Sequence, residues 1–379
     1  SLSSRVVNLA FKGDIRYKIG GGSWLKWGLS ATNIPSRINF ESSRENFLYA
    51  RVETPNAIGF DQSYRYYATY LESSSKALDN LHCRIGVRYD YSTLIDDGEL
   101  SPRFNVWYRL TDHLTIEGSW GLFYQFPNPI SVYTRNIPVD LSTNLDIISA
   151  EKATHQILGV ERTFGDKFSA KLQLYDKELD RLLLPIDEQT FAPTNGGSGF
   201  SRGLELVFEK KPESNSRFSG VLSYAFAKAK FHFSGSNTWL PFKYDRRHTF
   251  SLLSNIRISS RWQLSIAGQY SSGLPFTDVL GLRNNLDPGG AVSFDFVRGG
   301  RFERRLPAFK KIDARLSYQR TLGGKGFSFY LDVVNITNQK NVQEITWERR
   351  YLPDNQQQAT KRMIYMLPIL PSIGVSIKM

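Results

Sequence analysis

The amino-acid sequence predicts an all-β protein whose long antiparallel strands form a transmembrane β-barrel. Three observations predict this fold. Apolar and polar residues alternate through segment after segment of the 379-residue chain. These segments run for about 9 to 14 residues, whereas strands of globular proteins average about 5 to 6. The connections between them alternate between short and long, as periplasmic turns and extracellular loops do in outer-membrane barrels.

The composition agrees with a barrel and excludes several other classes. Hydrophobic residues make up 41% and aromatic residues 13% of the chain. No stretch approaches 18 consecutive apolar residues, which excludes a helical membrane protein. The single cysteine, Cys83, excludes an intrachain disulfide and lies in an apolar strand position. A net charge of +12 fits an anionic membrane surface or an anionic ligand, and we expect no nucleic acid as a partner.

The alternation can be followed from one end of the chain to the other. We expect the first strand near residues 4–18 and the last near 363–379. In LHCRIGVRYDY, which covers 81–91, every second residue is apolar and most of the others are charged or polar. The same pattern recurs in FSAKLQLYDK, RWQLSIAGQY and KIDARLSYQR. A soluble sandwich also alternates, but the length of the segments and the charge on their polar side favour strands around a wet lumen.

The connections set the number of strands. Short turns are expected near 20–23, 73–80, 111–113, 164–167, 212–217, 259–261 and 321–326. Long loops are expected near 35–61, 93–101, 127–152, 183–200, 232–245, 274–308 and 351–362. This division gives about fifteen strands, an odd number, whereas a bacterial single-chain barrel has an even number. We therefore expect the chain to begin partway through a larger barrel.

Several of these segments resemble one family in the order in which they occur. LSPRFNVWYRL, SAEKATHQILGVERTF, RLPAFKKIDARLSYQR, FYLDVVNITNQKNV and LPILPSIGVSIKM resemble strands from the C-terminal barrel portion of TonB-dependent outer-membrane receptors. The resemblance covers essentially residues 1–379. It implies a 22-stranded barrel in the bacterial outer membrane, with a plug domain in the lumen. Neither the plug domain nor the TonB box is present in these residues.

The resemblance implies energy-coupled uptake of a scarce large solute, driven by the TonB complex of the inner membrane. A siderophore, a cobalamin-like compound, an oligosaccharide or a peptide would each fit. The missing N-terminal barrel and plug segment would be a further partner. A passive porin-like channel and a structural or secretion-associated barrel remain as alternatives. No residue pattern supports an enzyme, and no cofactor or metal site is expected.

The motif YDRRHTF at 244–250 is the one most easily mistaken for a catalytic or metal site. One histidine beside two arginines and an aspartate lacks metal-ligand spacing, and the cations would repel a divalent ion. At the outer end of a strand, this motif is expected to form an ion-pair cluster on the rim. The segment NGGSGFSRG at 195–203 lacks the features of a phosphate loop and is expected to be a loop that enters a strand.

Basic residues collect at the same rim and are candidates to bind lipopolysaccharide phosphates or an anionic ligand through bidentate hydrogen bonds. The alternative is an ordinary solvated loop surface. The candidates are Arg246, Arg247, Arg301, Arg304, Arg305, Arg349, Arg350, Lys361 and Arg362. Three loop aromatics, Tyr133, Trp347 and Tyr351, are candidates to contact a ligand, although they could equally pack loop against loop.

Overall fold

The computed structural model describes residues 2–6, 8–41, 57–127, 147–185, 193–213, 216–286, 292–322, 325–351 and 357–378. The strands are β1 Leu2–Val6, β2 Leu9–Gly20, β3 Ser23–Glu41, β4 Ala57–Leu78, β5 Leu81–Ser92, β6 Asp97–Thr111, β7 Leu114–Gln125, β8 Glu151–Phe164, β9 Phe168–Pro185, β10 Pro193–Lys210, β11 Phe218–Phe233, β12 Leu240–Pro241, β13 His248–Arg257, β14 Trp262–Ser271, β15 Pro275–Phe276, β16 Val279–Leu286, β17 Val292–Arg298, β18 Arg304–Arg305, β19 Phe309–Leu322, β20 Lys325–Val334, β21 Val342–Tyr351, β22 Gln357–Tyr365 and β23 Leu370–Lys378. The described residues contain no helix that is long and apolar enough to cross a membrane.

Fifteen long strands pair with their neighbours in an antiparallel meander, which confirms the expected fold and strand number. The meander runs from β2 to β11 and continues through β13, β14, β19, β20 and β23. The short strand β1 continues the line of β2 against β3, and β12 pairs with the end of β11. Among the described residues, β2 and β23 each have a neighbour on one side only, so the sheet is not closed.

The connections alternate between the two ends of the sheet, as the sequence predicts. The short-turn end carries the connections 21–22, 79–80, 112–113, 165–167, 211–217, 258–261 and 323–324. The long-loop end carries 42–56, 93–96, 126–150, 186–192, 234–247, 272–308 and 335–369. Several strands extend beyond the length expected from the sequence; β4, for example, has 22 residues.

One connection at the long-loop end is much shorter than expected. The residues near 93–101 were expected to form a long loop, but a turn of four residues joins β5 to β6, and Ser92 pairs directly with Asp97. Asp96 adopts a positive φ of 48°, and the amide of Thr93 bonds the carbonyl of Arg65 at 3.0 Å. A residue in this left-handed conformation allows the chain to reverse within a few residues. The prediction of a long loop here was wrong for that reason.

The segment 195–203 also differs from expectation, because it belongs to β10 rather than to a loop. Gly197 and Gly199 lie within a strand that pairs with β9 and β11 on its two sides. A Cβ atom at Gly199 would lie 2.7 Å from the carbonyl oxygen of Lys230. Gly199 therefore allows close packing of two backbones, Gly197 makes room for the side chains of Leu182 and Leu184, and the segment forms no phosphate loop.

The last strand begins later than expected, at Leu370 instead of near residue 363. Asn335 ends β20 with a positive φ of 54°, and its buried side chain bonds the carbonyl oxygens of Gln339 at 3.0 Å and Leu367 at 3.2 Å. The residues between these points form a separate hairpin, β21–β22, which projects from the long-loop end. The long connection between β14 and β19 likewise contains two small pairs, β15–β18 and β16–β17.

The two sides of the sheet differ as period-two alternation requires. Large apolar side chains are exposed along one side, the apolar face; examples are Ile85, Leu158 and Ile373, which are 59%, 56% and 85% exposed. The opposite side, the polar face, carries cross-strand ion pairs. These include Lys26–Asp14 at 3.3 Å and Lys171–Glu117 at 2.9 Å, and on the same side Arg88 pairs with Asp90 within β5 at 2.7 Å. This charged side is the one expected to line a lumen.

A small apolar core lies at the long-loop end, where side chains from three strands and two connections meet. Phe231 is 3% exposed and packs with the buried Leu182 and Leu184. Phe242 and Phe302 from the two connections pack against this group. Burial of these side chains fixes the bases of the connections 234–247 and 272–308 to the strands below them.

Candidate functional site

Two groups of predicted site residues occupy different parts of the long-loop end. The first surrounds Asp245, whose side chain is buried although it lies in a connection. Its carboxylate accepts hydrogen bonds from the Ala229 amide at 2.7 Å, from Nε of Arg247 at 2.8 Å and from Nη2 of Arg305. We call Asp245, Arg247 and Arg305 the Asp245 clasp.

The Asp245 clasp joins three segments that are distant in sequence. Nη1 of Arg305 also donates to the carbonyl oxygens of Asp245 at 2.7 Å and Gly273 at 3.0 Å. Arg305 therefore ties the connection 272–308 to the connection 234–247, and the Ala229 bond ties both to β11. The guanidinium of Arg246 donates to the hydroxyl of Ser271 beside it. Arg246, Arg247 and Arg305, which the sequence singles out as candidates to bind an anion, are therefore each hydrogen-bonded to other residues of the protein.

Burial of the Asp245 carboxyl by itself would raise its pKa. The hydrogen bonds from the Ala229 amide, Arg247 and Arg305 outweigh that cost, so the pKa of Asp245 lies below its ordinary value. The carboxylate is therefore charged at neutral pH and holds both guanidinium groups.

Two further predicted arginines lie near this region. The guanidinium of Arg301 stacks at 5.4 Å from the ring centroid of Phe233 and at 5.5 Å from that of Phe302. Nε of Arg304 lies 4.0 Å from a carboxylate oxygen of Asp278, and its side chain is largely exposed. Arg301 therefore lies against the apolar core of the loops, whereas Arg304 faces solvent.

The second group lies on the hairpin β21–β22. Trp347 pairs with Lys361, and Tyr351 pairs with Gln357, with Arg349 between the two aromatics. Because side chains alternate along a strand, these five residues project from the same side of the hairpin. We call Trp347, Arg349, Tyr351, Gln357 and Lys361 the aromatic–cationic face.

The aromatic–cationic face meets residues from the connection between β14 and β19. The guanidinium of Arg349 lies 5.6 Å from the ring centroid of Phe294 and 5.5 Å from that of Tyr351. The ammonium of Lys361 lies 5.3 Å from the centroid of Phe276 and 5.8 Å from that of Trp347. Each cation is thus held against two aromatic rings, an attractive arrangement that leaves its charge without a carboxylate partner among the described residues.

Two polar atoms of this face are buried and have no hydrogen-bond partner among the described residues. They are the indole Nε1 of Trp347, a donor, and Oε1 of Gln357, an acceptor. Buried polar atoms in proteins are nearly always bonded, so such atoms indicate a site for a further polar group. Together with two unpaired cations, they suit an anionic ligand that carries rings and polar groups.

The opposite side of the same hairpin has another character. Arg350 and Arg362 lie there, and Arg362 forms an ion pair with Glu348 at 2.7 Å. All four cations of the hairpin are exposed, but only Arg349 and Lys361 lie against aromatic rings of the connection between β14 and β19. The hairpin therefore divides the four predicted cations of this region into two pairs with different surroundings.

Sequence reasoning missed Phe276, Phe294 and Gln357, which complete the aromatic–cationic face. All three lie within stretches that were expected to form long loops. The alternation VSFDFV at 292–297 was the signal that a strand, and so an ordered aromatic, lies there. Tyr133, also a predicted ligand contact, lies outside the described residues. Among the described residues, no group of three His, Cys, Asp or Glu side chains is placed to bind a metal.

Comparisons with known proteins identify the fold. A family model described as "TonB dependent receptor-like, beta-barrel" matches residues 2–336. No curated protein sequence matches the chain.

Solved structures match over the whole chain at low identity. The outer membrane transporter YddB from Escherichia coli is 15% identical with a TM-score of 0.62; the match covers 100% of this chain and 55% of that one. The ferric-catecholate import receptor Fiu from Escherichia coli K12 is 13% identical with a TM-score of 0.66, covering 100% and 55%. The FrpB iron transporter from Neisseria meningitidis is 13% identical with a TM-score of 0.67, covering 99% and 55%. The chain spans about half the length of these proteins.

Proposed function

The chain belongs to the TonB-dependent receptor-like β-barrel family of the outer membrane of Gram-negative bacteria, and from this premise we propose that it is the barrel part of a receptor for energy-coupled uptake of a scarce solute. The apolar face of the sheet is then the lipid-facing side, and the polar face lines the lumen. The long-loop end is extracellular, where a solute arrives first.

The observation that carries the proposal is the aromatic–cationic face. It combines unpaired positive charge at Arg349 and Lys361, ring surfaces, and a buried donor and acceptor in one place. Such a surface fits an anionic solute with ring or amide groups, and an iron-loaded siderophore has this chemistry. FrpB and Fiu, which share the fold, are described as an iron transporter and a ferric-catecholate import receptor. A cobalamin-like compound, an oligosaccharide and a peptide are the other solutes to be tested.

Transport would require parts that these 379 residues do not contain. The open edges at β2 and β23 would be joined by further strands of the receptor, because unpaired backbone groups are very costly in lipid. A plug domain would close the lumen, and the TonB complex would act on that plug. The barrel residues would bind and guide the solute, with no enzymatic step.

The test is a binding experiment with the full-length receptor in detergent. Ferric catecholate, ferric citrate, cobalamin, a short oligosaccharide and a short peptide are titrated while tryptophan fluorescence and heat of binding are measured. We expect tight binding of one class. Arg349→Gln should weaken that binding about tenfold or more, because it removes a charge-assisted contact. The neighbouring Arg350→Gln, on the opposite side of the hairpin, is the matched control and should bind as the wild type does.

Other outcomes would reject either the binding site or the receptor. Equal binding by Arg349→Gln and wild type would remove the aromatic–cationic face from the site. Steady ion conductance of the full-length protein in a planar bilayer, without tight binding of any solute, would favour the porin-like channel. Neither binding nor conductance would favour a structural or secretion-associated barrel.

A further inference from the structure

Two cations lie on the lipid-facing side at the short-turn end of the sheet. Lys210 is the last residue of β10, and Arg162 lies two residues before the end of β8. The next lipid-facing residues along these strands are apolar, Phe208 on β10 and Val160 and Leu158 on β8. Because short turns are periplasmic in outer-membrane barrels, both cations lie at the level of the periplasmic leaflet.

Phenylalanine rings flank both cations. The guanidinium of Arg162 lies 5.0 Å from the ring centroid of Phe164, and the ammonium of Lys210 lies 5.5 Å from the centroids of both Phe168 and Phe218. All three rings are exposed on the lipid-facing side, where aromatic side chains are enriched at the membrane–water interface. The ring faces attract the cations but do not neutralise their charge.

The membrane side of these strands supplies no carboxylate for the two cations. Within 158–164 of β8, 168–174 of β9 and 204–210 of β10, every other lipid-facing residue is apolar. The carboxylates next to the cations in sequence, Glu161 and Glu209, alternate to the lumen side. Arg162 and Lys210 form no ion pair or hydrogen bond within the described part of the chain. Two positive charges therefore face the membrane without a partner.

The strand register places the two cations close together and leaves them accessible. Arg162 pairs with Ala170 and Lys210 pairs with Phe168, both on the intervening strand β9. Two strand spacings and one two-residue step separate the Cα atoms of Arg162 and Lys210 by about 12 Å. Ala170 and Gly220, the other neighbour of Lys210, are too small to cover the charged groups. Both long side chains can therefore reach one head group between them.

From this arrangement we propose that Arg162 and Lys210, with the rings of Phe164, Phe168 and Phe218, bind diphosphatidylglycerol, an anionic phospholipid with two phosphates, in the periplasmic leaflet. Each cation contacts one phosphate of the head group. The phenylalanine rings contact the glycerol groups and the first carbons of the acyl chains. The rest of the acyl chains lie on the apolar lipid-facing side chains of β8, β9 and β10.

The surroundings of the two cations favour this phospholipid over other anions. A soluble anion lacks the acyl chains that pack on the adjoining apolar side chains. A zwitterionic phospholipid brings an ammonium group, which Arg162 and Lys210 repel. A head group with a single phosphate neutralises only one of two cations whose Cα atoms are about 12 Å apart. The site faces the membrane and not the lumen, so it is independent of the solute proposed above.

The test titrates the full-length receptor in detergent with diphosphatidylglycerol, phosphatidylglycerol and phosphatidylethanolamine, and native mass spectrometry measures each affinity. We expect diphosphatidylglycerol to bind most tightly. Arg162→Gln/Lys210→Gln should weaken its binding by about fivefold per cation, or about 25-fold for both, because each cation near the membrane surface contributes a modest attraction to anionic lipid. The charge-retaining Arg162→Lys/Lys210→Arg variant should bind about as wild type does.

The matched control is Arg109→Gln/Lys18→Gln, which removes one arginine and one lysine from the lumen side of the same short-turn end. It should retain diphosphatidylglycerol binding. Heat-modifiable mobility on a gel verifies that each variant is folded. Equal loss in the control, or no loss in Arg162→Gln/Lys210→Gln, would overturn the site. Binding of phosphatidylglycerol or phosphatidylethanolamine as tight as that of diphosphatidylglycerol would overturn the assignment to a lipid with two phosphates.

Discussion

At the scale of single residues, the rim is organised by one buried carboxylate. The predicted cluster YDRRHTF contains an aspartate and two arginines, and the structure gives these three residues different tasks. Asp245 accepts three hydrogen bonds, Arg247 is one of its donors, and Arg246 bonds Ser271. The distant Arg305 completes the group. The motif is thus half of an arrangement whose other half lies about sixty residues later in the chain.

Replacing Asp245 with Asn should loosen the connections that it joins. The variant loses the charge that holds Arg247 and Arg305, and we expect the local opening free energy to fall by about 1 to 2 kcal/mol. Hydrogen exchange of peptides covering 234–247 and 301–308 would measure this as faster exchange at neutral pH. The rest of the sheet should exchange as before.

The control for this prediction is Asp79→Asn, which removes a carboxylate of an exposed turn pair with Lys76. Exposed pairs contribute little, so exchange should not change.

The pH dependence of exchange in wild type provides a second check. Because the pKa of Asp245 is depressed, its contribution is complete above the ordinary carboxyl pKa of about 3.9 and is lost as the pH falls through the lower, folded-state value. Wild type should therefore approach Asp245→Asn only in strong acid; convergence at neutral pH would refute the clasp.

At the scale of elements, close packing across strands relies on tyrosine rings placed over glycines. The two residues pair directly on neighbouring strands, and a Cβ atom at the glycine would enter the ring. Three pairs share this arrangement: Gly28 with Tyr70, Gly203 with Tyr175, and Gly374 with Tyr330. Such pairs fix the register, because a shift of one residue would place the ring against a side chain.

Gly203→Ala should destabilise the barrel at the centre of β10. The added Cβ would lie 2.6 Å from the hydroxyl oxygen of Tyr175 and would also contact the backbone carbonyl of Phe226. Backbone cannot move aside as a flexible side chain can, so we expect a loss of about 1 to 3 kcal/mol. Urea unfolding of the full-length receptor in detergent would measure it. Gly13→Ala is the control, since its nearest neighbour is the ring of Phe11 at 3.8 Å; equal stability of the two variants would count against the packing argument.

At the scale of the whole molecule, the sheet presents two edges. β2 has no neighbour on one side and β23 has none on the other within the described part of the chain. The exposed apolar side chains Ile15, Ile373 and Val375 continue the lipid-facing side right to these edges. The edges therefore belong in the membrane, where unpaired backbone groups are not tolerated.

Residues 1–379 produced alone should not give the heat-modifiable mobility of a closed barrel, whereas the full-length receptor should. The physical reason is the two unpaired edges, which need partner strands to satisfy their backbone groups. Comparing boiled and unboiled samples on a gel after refolding in detergent tests this. A compact, heat-modifiable product of residues 1–379 alone would mean that β2 and β23 pair with each other, and would support the porin-like alternative.

The sequence by itself determined the fold class, the fifteen strands and their alternating connections, because side-chain period and turn residues are local properties of the chain. The loops were harder to predict. Whether 93–101 forms a long loop depended on Asp96 in a left-handed conformation, and the start of β23 depended on the turn at Asn335.

Only the tertiary structure decided which polar residues meet. Arg305 was one of several rim arginines in the sequence, and Arg349 and Arg350 were equivalent neighbours. The structure engages Arg305 with Asp245 and turns Arg349, but not Arg350, toward Phe294. These contacts join segments that lie many residues apart in the chain. Which side of a strand faces a distant loop is fixed by how that loop packs on the strand. Local pattern carries no information about such packing, so it could identify the strands but not assemble the site.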